Sequence, residues 1–557
     1  MPPQLTVFYG TFVDLPRIKS NDRHELSVNH GALWVSSASG RIEGFDWSIS
    51  SEAELQALMN RNGWVGVNIV RAQDELNEFF FPGFIDTHIH APQYPNSGLF
   101  GSSTLLDWLE TYTFPLESSL SNLSKARTVY NRVISRTLAN GTTFASYFAT
   151  IHVPATNLLA TLCHTRGQRA LIGRVCMENP SFCPDYYRDA SPEDSISATK
   201  ETITHIHSLD PSGTLVKPIL TPRFAPTCSR ESLAALGSLA ASHSPPLHIQ
   251  THISENKDEV ALVHSLFPES PSYAAVYDTY SLLTPRTILA HAIHLSPSEQ
   301  SLIATREAKV SHCPASNAAL GSGLAPVRAM LDAGITLGLG TDVSGGYSPS
   351  ILEAVRQACL VSRLLRHTNN LPQPSENNTG TSEKEKEKGR EVLPVEEALY
   401  LATRGGAAVV DMANDLGGFE RDMFFDAQLI RLGRTIPSSS DPTAPAEAQG
   451  GAVAQPQKGE SDSTVDIFGW ESWTEKVHKW VWTGSERNVR AVWVGGSLVH
   501  SLDDEQPPSD SSSLASVFTA AAAAAAKGNV WNWAGAGLGV LAAAAAGVAV
   551  FRGRRRV

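Results

Sequence analysis

Cysteine is scarce in this chain: six residues in 557, at Cys163, Cys176, Cys183, Cys228, Cys313 and Cys359, with no C-x-x-C pair among them. Scattered cysteines and an N-terminal stretch without a signal-peptide pattern exclude a disulfide framework, so reduced, intracellular thiols are expected. Positive charge is also short. Lys and Arg number 44 against 56 Asp and Glu, a formal net charge of -12, and no basic stripe offsets phosphate repulsion. General nucleic-acid binding is therefore excluded as a function class. Charged residues make up only 18% and hydrophobic ones 42%, which is globular composition. The length leaves room for a large core and more than one domain.

What is present is periodic. Residues 1–79 alternate apolar and polar in short runs such as "LTVFYGTFVDL" and "GALWVSS", which read as strands. From Phe79 the pattern becomes apolar strand, polar loop and amphipathic helix, repeated. Eight strand candidates stand out: "FFFPGFIDTHIH", "TTFASYFAT", "ALIGRVCME", "LVKPILTPRF", "LHIQTHISE", "TILAHAIHL", "AKVSHCPASN" and "ITLGLGTDVSGG". Strands alternating with helices predict a parallel (β/α)8 barrel over 80–412. Afterwards "FFDAQLIRL" and "VRAVWVGGSLVH" read as strands again. With 1–79 they are expected to form a small β-sandwich domain from both chain ends, its second part over 413–505. Two polar, Pro/Gly/Ser-rich stretches, 368–391 and 435–464, read as unstructured insertions. Residues 506–529 read as a linker and alanine-rich tract. Residues 530–557 hold an apolar segment closed by "RGRRRV", long enough to span a bilayer but also consistent with a low-complexity alanine tail.

The chemistry gathers at strand ends. "FIDTHIH" read with period 2 puts Asp86, His88 and His90 on one face and Ile85, Thr87 and Ile89 on the other, so that His88 and His90 can reach one metal ion. "LHIQTHISE" turns His248, Gln250 and His252 inward, with Glu255 just past the strand. "TILAHAIHL" directs His291 inward along with Leu289 and Ile293, and "ITLGLGTD" aligns Gly338, Gly340 and Asp342, small residues below a carboxylate. A lone strand histidine is usually a packing residue, but here several strands end in the same chemistry at the C-terminal rim, where barrel enzymes react.

Three imidazoles, one carboxylate and an open position suit a catalytic Zn2+, with iron(II) as a possible substitute. A second metal would need a bridging group such as a carboxylated lysine ending strand 4. The only lysine there, Lys217, lies near the strand's start, so one metal is expected. Zinc lowers the pKa of its water towards neutrality. Asp342 can accept that proton while ligating, Glu255 can shuttle protons to the substrate nitrogen and a departing amine, and His291 can orient the nucleophile. Glu255 also fits a second reading, a carboxylate favoured at a helix N-terminus.

The segments "PGFIDTHIHAPQY", "LLDWLETYTFP", "NGTTFASYFATIH", "KPILTPRF", "LHIQTHISEN", "SHCPASN" and "GLGTDVSGGYS", spread from Pro82 to Ser348, resemble the amidohydrolase superfamily and within it the guanine deaminases. The H-x-H pair and the final Asp mark the superfamily only; "HAPQY", "TPRF" and "GTDVSGGYS" are more specific. The resemblance implies Zn2+ on His88, His90, His252 and Asp342, with Glu255 and His291 catalytic and guanine held by Gln93, Arg223 and Phe224. Arg223 has the donor fork for a carbonyl and a ring nitrogen, Phe224 a stacking face, and Gln93 both donor and acceptor. Against this, Arg223 could form a surface salt bridge and Phe224 could be ordinary core. A homodimer in the cytoplasm is expected, with possible membrane association through the tail. Other aminated heterocycles (adenine, cytosine, a triazine) remain alternative substrates, and a catalytically inactive membrane-tethered barrel is the non-enzymatic alternative.

Overall fold

The alternation of "LTVFYGTFVD" sets up the first sheet. In the computed structural model, which describes residues 5–17, 24–368, 389–436 and 463–503, this run is strand β1 (Leu5–Asp14). It pairs antiparallel with β2 (Ser27–Ser36) from Leu5↔Ser36 to Asp14↔Ser27, and β2 continues to β3 (Ile42–Asp46). On its other edge β1 pairs in parallel with β4 (Asn68–Arg71) and, through Phe12↔Phe80, with β5 (Glu78–Pro82). This region is not all strand. Residues Glu52–Arg61 form a helix, because Ser51 caps it by accepting from the Glu54 N–H and Leu55, Leu58 and Met59 fall on one buried face.

The barrel follows, and every one of the eight expected strands is present. They are β6 (Phe84–His90), β7 (Thr142–Phe148), β8 (Arg169–Gly173), which continues as β9 (Val175–Cys176), β10 (Val216–Pro222), β11 (His248–Ile253), β12 (Thr287–His291), β13 (Lys309–His312) and β14 (Leu337–Leu339). Neighbours in sequence are neighbours in the sheet, all parallel. Closure between β14 and β6 is made by a few individual hydrogen bonds. The Asp342 N–H donates to the His88 carbonyl at 2.8 Å, the His90 N–H to the Val343 carbonyl at 3.0 Å, and Thr87 Oγ1 to the Leu339 carbonyl at 2.9 Å.

Two of the expected strand faces are corrected. On β6, Ile85 pairs with Phe144 and joins Leu171, Ile219 and Ile288 in the cluster inside the barrel, whereas Asp86 pairs with Ala145. The register shifts between Asp86 and Ile89, and this extra residue changes the phase, so Asp86 does not share the face of His88 and His90. Its carboxylate instead accepts from the Thr341 N–H at 3.0 Å and Oγ1 at 2.5 Å, and Thr87 reaches Ser311 Oγ at 2.6 Å. On β12, Leu289 and Ile293 belong to the outer core under the helices, and Ile288 faces in. His291 turns inward because the chain leaves the strand there through left-handed backbone, φ +74° at His291 and +53° at Ala292.

Strands β15 (Ala427–Arg431), β16 (Val489–Val494) and β17 (Ser497–Ser501) complete the sheet begun at the N-terminus, in the order β17-β16-β15-β5-β1-β2-β3 with β4 on β1. Its interior is aromatic: Phe8 stacks on Phe425 at 4.0 Å between ring centroids, with Phe12, Phe80 and Trp493 around them. A buried ion pair fastens this unit to the barrel, Arg169 Nε and Nη2 donating to the Asp426 carboxylate at 2.8 and 3.1 Å. Most of the two expected insertions and all of the linker and tail lie outside the described residues. Among the described residues no helix is long and apolar enough to cross a membrane.

Candidate active site

The C-terminal ends of β6, β11, β12 and β14 deliver His88 and His90, His252, His291 and Asp342 to one point. One donor atom from each of His88, His252, His291 and Asp342 lies within 4.8 Å of the others. His90 stands beside this group, its Nε2 3.1 Å from His252 Nε2 and 3.4 Å from Asp342 Oδ1. Room for these rings comes from Gly340: a Cβ there would lie 2.9 Å from His88 Cβ and 2.7 Å from Ser311 Oγ. Phe148, at the end of β7, packs against His88, His90 and His252 with centroids 4.6–4.8 Å apart.

The donors are in the protonation states a cation requires. Burial pushes the imidazoles of His88, His90 and His252 below their ordinary pKa, favouring the neutral form whose lone pair a metal ion binds. Burial alone would raise Asp342, but the surrounding histidines, His88 first, hold it well below the usual carboxylate range. His252 Nδ1 sits 2.6 Å from the Arg223 carbonyl, which fixes the proton there and leaves the Nε2 lone pair facing the cluster. His88 Nε2 lies 3.0 Å from Asp342 Oδ1, yet it has no hydrogen-bond partner. Lone pairs aimed at a shared point rather than at one another fit a divalent metal ion. Lys217 lies at the opposite rim, its side chain next to Gly213, and offers no bridging group for a second ion.

Glu255 faces the same point. Its Oε1 accepts from Ser322 Oγ at 3.0 Å and its Oε2 lies 3.5 Å from His291 Nε2. Burial lifts its pKa to about 7 against the opposing pull of His291. Burial would lower His291, but the Glu255 and Asp342 carboxylates raise it, and Asn317 Oδ1 holds its Nδ1 at 2.9 Å. The helix-capping reading of Glu255 is overturned. The helix Lys257–Leu266 is capped by Asn256, and Glu259 Oε2 accepts from the N–H groups of Glu255 and Asn256 at 2.8 and 3.1 Å. Capping is done by Glu259, leaving the Glu255 carboxylate free for the site.

Beside this cluster is a cavity lined by Gln93, Trp108, Arg223, Phe224, Leu320 and the rim of the cluster itself. Arg223 forms a salt bridge, though not on the surface: Nη1 and Nη2 grip Glu117 at 2.6 and 3.2 Å, with Arg223 2% and Glu117 0% exposed. Gln93 Nε2 donates to the same carboxylate at 2.8 Å, while its Oε1 accepts from the Ser344 N–H at 3.3 Å. Phe224 is 4% exposed and meets the His252 ring edge-on at 6.4 Å. All nine residues singled out from the sequence therefore converge. Glu117, Phe148, Asn317 and Ser322 escaped notice. The signals for them were slight: an aromatic at an inward strand end for Phe148, the last residue of "HCPASN" for Asn317, a polar residue shortly after it for Ser322, and none for Glu117.

A (β/α)8 barrel with a His-rich metal cluster at its C-terminal rim and a buried carboxyl beside it defines a metal-dependent hydrolase. Residues 79–499 match the amidohydrolase family. The chain is 47% identical over 444 residues to a probable guanine deaminase of Schizosaccharomyces pombe, covering 80% of this chain and 76% of that one. It is 37% identical over 503 residues to a guanine deaminase of Homo sapiens, covering 90% and 97%. Among solved structures it is similar to a guanine deaminase from C. acetobutylicum with bound guanine in the active site, with a TM-score of 0.70 and 30% identity over 89% of this chain and 100% of that one. The chain belongs to the amidohydrolase family and, within it, to the guanine deaminases.

Proposed function

We propose that the protein hydrolyses guanine to xanthine and ammonia with one Zn2+ per chain, held by His88, His90, His252 and Asp342. The observation that carries this reading is the adjacency of the metal-competent cluster, a buried carboxyl at Glu255, and a braced arginine fork in the adjoining pocket. A divalent ion bound there lowers the pKa of a water and so supplies a nucleophile at neutral pH. Glu255 takes one proton from the attacking water and hands it to the ring nitrogen next to C2, where it stays; the water's second proton, released as the C2 hydroxyl becomes a carbonyl, is passed to the amine, which leaves as ammonia. His291, anchored by Asn317, orients the nucleophile. Two of the five guanidinium N–H groups of Arg223 serve Glu117, and the other three are available to acceptors such as guanine O6 and a ring nitrogen. Phe224 supplies a stacking surface, and Gln93 reads the heterocycle edge.

The test is direct. Purified protein incubated with guanine should form xanthine and ammonia in equal amounts, and elemental analysis should find one zinc per chain. Fully metallated protein that makes no xanthine overturns the reading. The proposal also includes a cytoplasmic homodimer, to be checked by sedimentation, and membrane attachment through 530–551. If those residues anchor, full-length protein resists carbonate extraction and a chain ending at Ser513 does not; full-length protein wholly in the soluble fraction refutes anchoring.

A further inference from the structure

Glu117 touches no reacting atom, yet it is a fully buried carboxylate behind the Arg223 and Gln93 that line the substrate cavity. It binds Arg223 through two hydrogen bonds and Gln93 through a third. A lone guanidinium buried to this depth would be an uncompensated charge, strongly attractive to any anion. The bidentate pairing removes that net charge without using up the donors, and it fixes the fork's plane. The same carboxylate orients the Gln93 amide: with Nε2 turned to Glu117, Oε1 is left towards the Ser344 N–H. Sequence alone gives no hint of this, since the partners are 106 and 24 residues apart.

We infer that Glu117 is the positioning residue that makes the Arg223–Gln93 recognition face electrically neutral, so that the pocket accepts a neutral aminopurine and does not retain its deprotonated product. This rests on the guanine reading. Xanthine carries a second ring carbonyl in place of the amine, which acidifies the ring N–H groups beside it, so it ionises more readily than guanine. A pocket whose arginine is already paired gives the xanthine anion no net cationic partner, whereas an unpaired Arg223 would hold it. Glu117 thus acts through Arg223 and Gln93 and does not touch the reacting atoms.

The experiment measures KM and kcat for guanine, and the inhibition constant of xanthine, from pH 6 to 9 in wild type, Glu117→Gln and Glu117→Asp. Wild-type turnover of guanine tests the guanine reading, and the pH dependence of inhibition tests this one. In E117Q, KM should rise by roughly tenfold with a smaller change in kcat, and xanthine should bind roughly tenfold or more tightly as pH rises through its ionisation. E117D, which keeps the charge, should restore the wild-type pH profile of inhibition. A Glu117→Gln enzyme whose xanthine inhibition follows pH as the wild type does, or an E117D enzyme that behaves like E117Q, overturns the proposal. If E117Q does not fold, wild type alone decides: xanthine inhibition should weaken as pH rises through xanthine's ionisation, and tighter binding of the anion overturns the proposal.

Discussion

Replacing Glu255 by Gln separates proton transfer from everything else the side chain does. Its Oε1 accepts from Ser322 at 3.0 Å, a bond the amide oxygen can keep, and the residue is 3% exposed, so a neutral isostere introduces no new buried charge. The helix cap stays intact because it rests on Asn256 and Glu259, and a lost cap would by itself cost only about 1 kcal/mol. Stability should therefore change by less than about 1 kcal/mol. What is lost is a carboxyl whose pKa of about 7 lets it both take and give a proton near neutrality. General acid–base catalysis of this kind contributes about 100- to 10,000-fold, which at about 1.4 kcal/mol per decade is roughly 3–5 kcal/mol of barrier. The assay is steady-state xanthine formation from guanine, with zinc content and thermal midpoint measured on the same sample. The expected result is kcat down by at least about 100-fold with metal and midpoint unchanged. A variant that turns over within about threefold of wild type would refute the proton-shuttle role, and loss of metal along with activity would move Glu255 into the ligand set.

Three further outcomes follow from the same geometry. His252→Ala removes an imidazole whose tautomer is set by the Arg223 carbonyl, so zinc affinity and activity should fall together by about 10- to 100-fold or more; full zinc occupancy with wild-type turnover would exclude it as a ligand. Truncating Arg223 to Ala would strand the buried Glu117 carboxylate at a cost of roughly 3–5 kcal/mol, so substrate choice is better tested with Arg223→Lys, which keeps the charge and loses the fork. That variant should lose at least about tenfold in kcat/KM for guanine with zinc retained, and wild type should barely use adenine, whose C6 amine meets the fork donor to donor; equal efficiency on both purines would disprove the pocket assignment. Finally, burial holds His248, at the other end of β11, at a pKa of about 4, despite its 2.9 Å bond to Asp411. The unfolded chain therefore binds more protons between about pH 6.5 and 4, so the stability present above that window is lost as pH falls through it, by up to about 3 kcal/mol. His248→Gln should flatten this acid slope in urea midpoints compared at pH 7 and 4.5, and an unchanged slope would show that other groups cause it.

The residue types and the strand periods were legible without any structure because they are local. Apolar runs punctuated by loops predicted all eight barrel strands, and His88, His90, His252, Glu255, His291 and Asp342 stood out because each sits at a strand end. Periodicity carried no further, since it assumes an unbroken strand. The extra residue between Asp86 and Ile89, and the left-handed turn at His291, shift the phase on two of the four strands that build the cluster. Their side chains still arrive, but by routes a regular alternation does not contain. Nor could spacing decide between Glu255 and Glu259, four residues apart at one helix start: the chain's path past β11 sends the first into the cavity and the second back to the backbone. The partnerships of Arg223 with Glu117 and of Glu255 with Ser322 span 106 and 67 residues. Such contacts exist only once barrel closure has removed both charged groups from water, and it is that burial which makes pairing obligatory and shifts the Glu255 pKa towards neutrality.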